Sequence, residues 1–244
     1  MTMLIVHGYG PAWGTVDLSP FVVKLHTWLR LAGLPYRFEV GDLRKMPAGK
    51  LPALTLEDGR LLGDSHFIIQ HLGAQHGDPL READWPTTQR AQARAFRALL
   101  ETDLYFAGVH QRWATDEGFA LLAPELRRYL GGMGVPGLLQ SFVAGRVRQQ
   151  VIRQLKAQGT GRRPPAHIHA LACEGMAALG EFLGDKPWML GERPSALDAT
   201  AFAFLHTQLR APFASPMQAE VAGRVNLVAY ERRVRAHCWP ESHD

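Results

Sequence analysis

Ser19 opens a stretch whose residue types could hold an anion. Pro20 follows it, and proline is favoured at the first position of a helix because its missing N–H is not needed there. The sequence therefore predicts that a helix begins here, with a hydroxyl and unpaired N–H groups at its positively polarised end. Such an end stabilises an anion, including a thiolate supplied by a ligand. A simple helix cap would have the same sequence, so both interpretations of Ser19 stay open.

Two further stretches offer groups that could hold a peptide-like ligand. Pro52 stands directly before a predicted strand, and a cis bond there would expose the backbone N–H and C=O of Leu51. A plain proline at a strand entry is the alternative. Asp64 and Ser65 begin another predicted helix and offer a carboxylate for an ammonium group and a hydroxyl for a carboxylate. An ordinary helix cap would have the same sequence as a site that binds the amino and carboxylate groups of an α-amino acid.

The elements that position these residues form an α/β unit. Strand-like segments at 3–7, 36–40 and 53–56 alternate with helix-like segments at 19–32 and 65–75. Asp58-Gly59 is the strongest signal for a two-residue hairpin turn, which predicts that the third and fourth strands are antiparallel neighbours. The predicted sheet is therefore mixed.

Helical periodicity dominates after a polar connector at residues 79–87. We therefore predict an α/β domain over residues 1–78 and an all-α domain over residues 88–244. Ser195 and Asp198 have the spacing of a capping box, which predicts a structural role for Asp198. Apolar residues at spacings of three and four predict a buried stripe on one helix, with its arginines in solvent. The stripe consists of Leu139, Phe142, Val143, Val147, Val151 and Leu155.

Composition excludes several classes of function. With 46% hydrophobic and 20% charged residues, the chain has the composition of a soluble globular protein. No segment approaches the roughly 18 uncharged apolar residues of a membrane span, and no secretory signal is evident, so a cytoplasmic location is expected. Cys173 and Cys238 lack metal-ligand spacing and are expected to be buried, so no metal site is predicted. The scattered arginines, in a chain of net charge +4, argue against nucleic-acid binding.

Taken in chain order, these motifs resemble those of the glutathione transferase superfamily. The resemblance implies an N-terminal thioredoxin-like domain that binds glutathione and a C-terminal helical domain that closes the cleft. Residues 157–162 and 226–240 are similar to the metaxin and failed-axon-connections branch, and the opening at Ser19 also resembles serine-type plant tau transferases. The segments that carry the superfamily resemblance are residues 19–36, 49–52, 58–59, 63–72 and 190–199.

The resemblance implies a role for each residue of the motifs. Ser19 stands where redox relatives carry a nucleophilic cysteine, so dithiol chemistry is excluded there and Ser19 becomes the expected partner of the glutathione thiolate. The other implied roles are Lys50 as partner of a glutathione carboxylate, Leu51 as backbone contact, Pro52 as the cis-proline, and Asp64 with Ser65 as holders of the γ-glutamyl end.

Two functions are compatible with this sequence. As an enzyme, the protein would activate glutathione as a thiolate for attack on a small hydrophobic electrophile, without a metal and as a possible homodimer. As a non-catalytic module of the metaxin or failed-axon-connections type, it would present a surface to a protein partner. The aromatic residues that could line the electrophile cleft, or simply belong to the core, are Tyr9, Trp13, Tyr105, Phe106 and Trp113.

Overall fold

A four-stranded mixed sheet forms the N-terminal part of the computed structural model, which describes residues 3–240. The strand order is β2-β1-β3-β4. Strand β1 pairs in parallel with β2 and antiparallel with β3, and β3 pairs antiparallel with β4. The predicted mixed sheet and the predicted antiparallel pair are therefore confirmed. The strands are β1 (Leu4–Gly8), β2 (Tyr36–Val40), β3 (Ala53–Thr55) and β4 (Leu61–Gly63).

The hairpin between β3 and β4 has a longer loop than the sequence predicts. The N–H of Leu56 donates to the C=O of Arg60 at 2.8 Å, so three residues, 57–59, lie beyond the last pair. Gly59 has a φ of 85°, which is the left-handed conformation that closes a three-residue hairpin loop. The predicted two-residue turn was wrong, although its glycine does supply the positive φ.

Helix α1 (Pro20–Leu31) is buried on two sides. Val22 and Leu25 pack into the core beneath the sheet, whereas Val23 packs into the core of the helical part. A helix that is apolar on most of its surface is expected to be enclosed in this way. Helix α2 (Ser65–Gln75) begins and ends where the sequence predicts.

The rest of the chain is helical, and π-helical segments interrupt its first long helix. Leu99–Leu104 and His110–Ala114 are π-helical, a geometry that is frequent at functional sites. No helix among residues 3–240 is long and apolar enough to cross a membrane. The α-helices are α3 (Thr87–Ala98), α4 (Tyr105–Val109), α5 (Asp116–Gly132), α6 (Gly137–Gln158), α7 (Pro165–Leu183), α8 (Ala196–Arg210), α9 (Pro216–Gly223) and α10 (Val225–Cys238).

Helix α8 is the centre of the helical core, and Asp198 anchors its first turn. The Asp198 side chain is fully buried and accepts hydrogen bonds from Met189 N–H at 2.7 Å and Tyr230 Oη at 2.8 Å. Its Oδ2 also accepts from the N–H and the hydroxyl of Ser195. These bonds tie α8 to the preceding loop and to α10, which agrees with a structural role for Asp198.

The predicted stripe on α6 is only partly correct. Leu155 is buried, but Leu139 and Phe142 are 51% and 68% exposed, because the N-terminal half of this helix extends past the core. Arg148, predicted to lie in solvent, instead forms hydrogen bonds to backbone carbonyls. Of the cysteines expected to be buried, Cys238 is buried and Cys173 only half-buried.

Candidate active site

Ser19 lies at the N-cap of α1, half-buried, with an extended backbone. Its C=O accepts from the N–H groups of Val22 and Val23, both at 3.0 Å, and so begins the helix. Its hydroxyl makes no capping hydrogen bond within residues 3–240. The hydroxyl therefore does not cap the helix, which was one of the two interpretations that the sequence left open. Its oxygen is available to a ligand.

Asp17 holds the loop that presents Ser19, a role that no motif in the sequence predicts. Its carboxylate is fully buried and accepts from the N–H of Ser19 at 2.8 Å and from the N–H of Gly10 at 2.7 Å. Burial raises the pKa of Asp17 to about 7, although the backbone donors act in the opposite direction. The only sequence signal was an acidic residue two positions before the serine.

The segment before β3 brings Leu51 and Pro52 to the edge of the sheet. The Leu51–Pro52 peptide bond is cis, and the Leu51 side chain is buried. Gly41 packs tightly against it, since a Cβ at that position would lie 2.7 Å from Leu51 Cδ2. Lys50, in contrast, is exposed at the end of this segment, where a ligand carboxylate could reach it.

Asp64 and Ser65 occupy the N-terminus of α2 with different surroundings. Asp64 is exposed, has a φ of 66°, and accepts from the N–H of His66 at 2.9 Å, so it caps the helix. Ser65 is 4% exposed, and its Oγ lies 3.2 Å from Lys24 Nζ. The cap leaves the remaining lone pairs of the Asp64 carboxylate open to a ligand ammonium group.

A buried ion pair lies behind Ser65 and connects the two halves of the chain. Lys24 of α1 is 1% exposed, and its Nζ lies 2.6 Å from the Glu101 carboxylate in the first π-helical segment. Burial lowers the pKa of Lys24, and Glu101 partly offsets that effect. No local sequence pattern predicts this pair, because its partners are far apart in the chain.

An apolar pocket opens beside Pro20, the residue directly after Ser19. It encloses about 480 Å³ including the part open to solvent. A pocket of this size suits a small ligand. Its walls come from α1, α4, the π-helical segments and α7 to α9. The lining includes Leu104, Tyr105, Arg112, Met176, Phe204 and Phe213.

Of the aromatic residues proposed for the electrophile cleft, Tyr105 lines this pocket. Trp13 stands behind the pocket wall, where its ring packs edge-on against Phe213 at 4.9 Å. The others pack against neighbouring rings, with centroid distances of 5.1 Å for Tyr9–Tyr129, 5.1 Å for Phe106–Tyr105 and 6.1 Å for Trp113–Phe119.

Known proteins resemble this chain along most of its length. Residues 20–118 match the family model described as glutathione S-transferase N-terminal domain, and residues 172–234 match the glutathione S-transferase C-terminal domain. Isoprene-epoxide glutathione S-transferase from Rhodococcus sp. (strain AD45) is 34% identical over 238 residues, covering 96% of this chain and 98% of that protein. Metaxin-1 from Macaca fascicularis is 29% identical over 228 residues, covering 89% and 69%.

A solved structure shows the same fold. The glutathione S-transferase of Methylobacterium radiotolerans, in complex with glutathione sulfonate, aligns with a TM-score of 0.57. The alignment covers 96% of this chain and 90% of that protein, at 20% sequence identity. The mixed sheet followed by a helical bundle is therefore an arrangement that the two proteins share.

Proposed function

The chain belongs to the glutathione S-transferase family, and from this membership we propose that it conjugates glutathione to a small epoxide. The observation that carries the proposal is the Ser19 hydroxyl, which makes no capping bond at the positive end of α1 and directly precedes Pro20, a residue that lines an apolar pocket. A hydroxyl that only capped the helix would be engaged with the backbone.

The N-terminal part offers a separate contact for each charged group of glutathione. The γ-glutamyl ammonium group is held by the exposed Asp64 carboxylate, and the γ-glutamyl carboxylate by Ser65 and the first N–H groups of α2. Lys24, 3.2 Å behind Ser65, adds positive charge beneath that carboxylate. The backbone of Leu51 pairs with the cysteinyl peptide group, and Lys50 holds the glycine carboxylate.

Ser19 and the start of α1 activate the thiol. Lowering the pKa of a thiol by about two units requires about 2.7 kcal/mol. A hydroxyl hydrogen bond to a charged group contributes about 1.5–3 kcal/mol, and the helix terminus adds roughly 0.3–1 kcal/mol. Together these two contributions reach the free energy that is needed to lower the thiol pKa by about two units. The thiol proton leaves to solvent, and the thiolate sulfur faces the pocket next to Pro20.

The size and lining of that pocket support a small electrophile. The volume of about 480 Å³, including the part open to solvent, suits a small molecule, and apolar side chains such as Leu104, Met176 and Phe204 form much of the wall. The similarity to a transferase named for isoprene epoxide supports an epoxide in particular.

Calorimetry with glutathione, followed by a conjugation assay with a small terminal epoxide, tests the proposal. We expect saturable binding at millimolar glutathione and a thioether product that mass spectrometry detects. A protein that remains folded but shows neither binding heat nor a thermal shift at several millimolar glutathione would contradict the proposed function.

A non-catalytic binding module is the second candidate. The similarity to metaxin-1 and a patch of exposed apolar side chains on α6 favour it. Leu138, Leu139 and Phe142, which are 98%, 51% and 68% exposed, form this patch. Exposed apolar patches of this kind are typical of protein-interaction surfaces. A folded protein that fails to bind glutathione would make this the better assignment.

A further inference from the structure

Arg112 is a half-buried cation that has no hydrogen-bond partner among residues 3–240. It lies in the second π-helical segment, and its Nε is buried without a hydrogen-bond acceptor in the described part of the chain. Burial lowers the pKa of Arg112, but a guanidinium remains protonated in proteins. The buried Nε–H has lost water without gaining an acceptor from these residues, which is costly, so this side chain favours an anionic partner.

Arg148 lies in the same region, and its guanidinium does have hydrogen-bond partners. Its guanidinium donates to the C=O of Trp113 at 2.9 Å and to the C=O of Thr115 at 3.0 Å, and it forms an ion pair with Asp116 at 2.7 Å. Arg112 forms no hydrogen bond or ion pair with any described residue. The two arginines therefore differ in whether the described part of the chain supplies acceptors for them.

Arg112 lines the same apolar pocket as Pro20, the residue directly after Ser19. Among the described residues that line this pocket, Arg112 is the only charged one. The lining amides have other partners, since Gln111 Nε2 donates to Ala214 C=O and Gln208 Nε2 donates to Ser215 Oγ. An apolar pocket with a single unpaired cation fits an electrophile that develops negative charge on oxygen.

We propose that Arg112 is a catalytic residue that binds the epoxide oxygen and stabilises the alkoxide formed as the ring opens. This step rests on the proposed function. The thiolate sulfur attacks one epoxide carbon, so an S–C bond forms while the C–O bond breaks and its electron pair passes to oxygen. Arg112 donates N–H hydrogen bonds to that oxygen and keeps its protons, and water then protonates the alkoxide to give a β-hydroxy thioether. Donors placed where charge develops in the transition state are worth about 10²–10³ in rate.

Arg112→Met tests this role, because methionine keeps much of the side-chain length and removes the charge. We expect kcat/KM for a small terminal epoxide to fall about 100-fold. Conjugation of a primary alkyl iodide should change less than about threefold, because the large, diffuse iodide gains little from hydrogen bonds and no oxyanion forms. The dissociation constant for glutathione should stay the same, and Arg112→Lys should recover part of the epoxide activity.

Arg148→Met is the matched control, since it removes a nearby arginine that does not line the pocket, and it should leave the epoxide-to-iodide ratio unchanged. Equal losses with both electrophiles in Arg112→Met, or no loss with either, would overturn the role of Arg112. A wild type that conjugates the iodide but not the epoxide would overturn it too, while leaving a transferase. A wild type that conjugates neither would overturn the proposed function and this inference with it.

Discussion

The proposed chemistry depends on the hydroxyl group of Ser19. Ser19→Ala removes a hydrogen bond to the thiolate, so kcat/KM for conjugation should fall roughly 10- to 100-fold, corresponding to about 1.5–3 kcal/mol. The absorbance of the bound thiolate at neutral pH should weaken, because the pKa of bound glutathione rises. The free energy of unfolding should change by less than about 0.5 kcal/mol, since the hydroxyl makes no capping bond.

Ser215 provides the control for this variant. Its Oγ accepts from the N–H of Gln218 at 3.1 Å and so caps α9. Ser215→Ala should therefore lower the free energy of unfolding by about 0.5–2 kcal/mol without changing glutathione affinity per folded molecule. A Ser19→Ala protein with wild-type turnover would contradict the activation mechanism and would leave the fold assignment standing.

Asp17 should make stability depend on pH. Its folded-state pKa of about 7 lies above the unfolded value of roughly 3.9, so the folded protein binds more protons between those values. The stability that Asp17 contributes is fully present below pH of about 4 and is lost as the pH rises towards 7.

Asp17→Asn removes this titration and isolates its effect. Between pH 5 and pH 8, the wild type should lose on the order of 2 kcal/mol of unfolding free energy relative to Asp17→Asn, as measured by urea denaturation. Other titrating groups are common to both proteins and cancel in the comparison. A difference between the proteins that does not vary with pH would show that Asp17 is ionised throughout this range.

At the level of elements, Asp198 joins α8 to its neighbours. Asp198→Ala would leave the buried Met189 N–H without its acceptor and would leave the Tyr230 hydroxyl with only the backbone C=O of residue 198, 3.3 Å away. We expect a loss of about 3 kcal/mol or more in the free energy of unfolding, because each buried unsatisfied group costs roughly 1–3 kcal/mol. Ser195→Ala, which removes one donor only, should cost about 1 kcal/mol. Glutathione affinity per folded molecule should be unchanged in both, and a selective loss of turnover in folded Asp198→Ala would instead indicate a catalytic role.

Elements with local signals could be predicted from the sequence. Helix α2 has its predicted bounds, and Pro20 with Ser19 correctly located the start of α1. The loop between β3 and β4 was predicted too short, because its length follows from which residues pair across the strands rather than from Asp58-Gly59 alone. Phe142 was expected to be buried, yet helical spacing cannot show which turns extend beyond the core.

The candidate site was predictable only where a motif carried it. Ser19, Pro52 and Asp64 stand in recognisable local patterns, and their assignment to glutathione remains a prediction. Lys24 and Arg112 carry no local pattern. Lys24 has a partner that is distant in the chain, and Arg112 has none within residues 3–240, so only the three-dimensional structure identifies them.

Across the whole molecule, the Lys24–Glu101 pair connects the sheet-containing part to the helical part. Glu101→Gln would leave Lys24 as an unpaired buried cation, so the free energy of unfolding should fall by about 3 kcal/mol. The double variant Lys24→Met/Glu101→Gln should recover much of this loss, because a neutral side chain of similar length carries no desolvation cost. Chemical denaturation of the two single variants and the double variant measures the coupling. Independent, additive losses would show that the pair does not act as a unit.

The burial of Lys24 also affects how the binding of glutathione should respond to ionic strength. Dissolved salt screens exposed charges over about 8 Å at physiological concentration but reaches buried ones far less. Lys50 is exposed and Lys24 is 1% exposed, so the two cations next to the proposed glutathione site should respond differently to added salt. As salt rises, the attraction at Lys50 should fade while that at Lys24 and Ser65 persists. At high salt concentration the γ-glutamyl end of glutathione would therefore stay bound, and the glycine end would be released first.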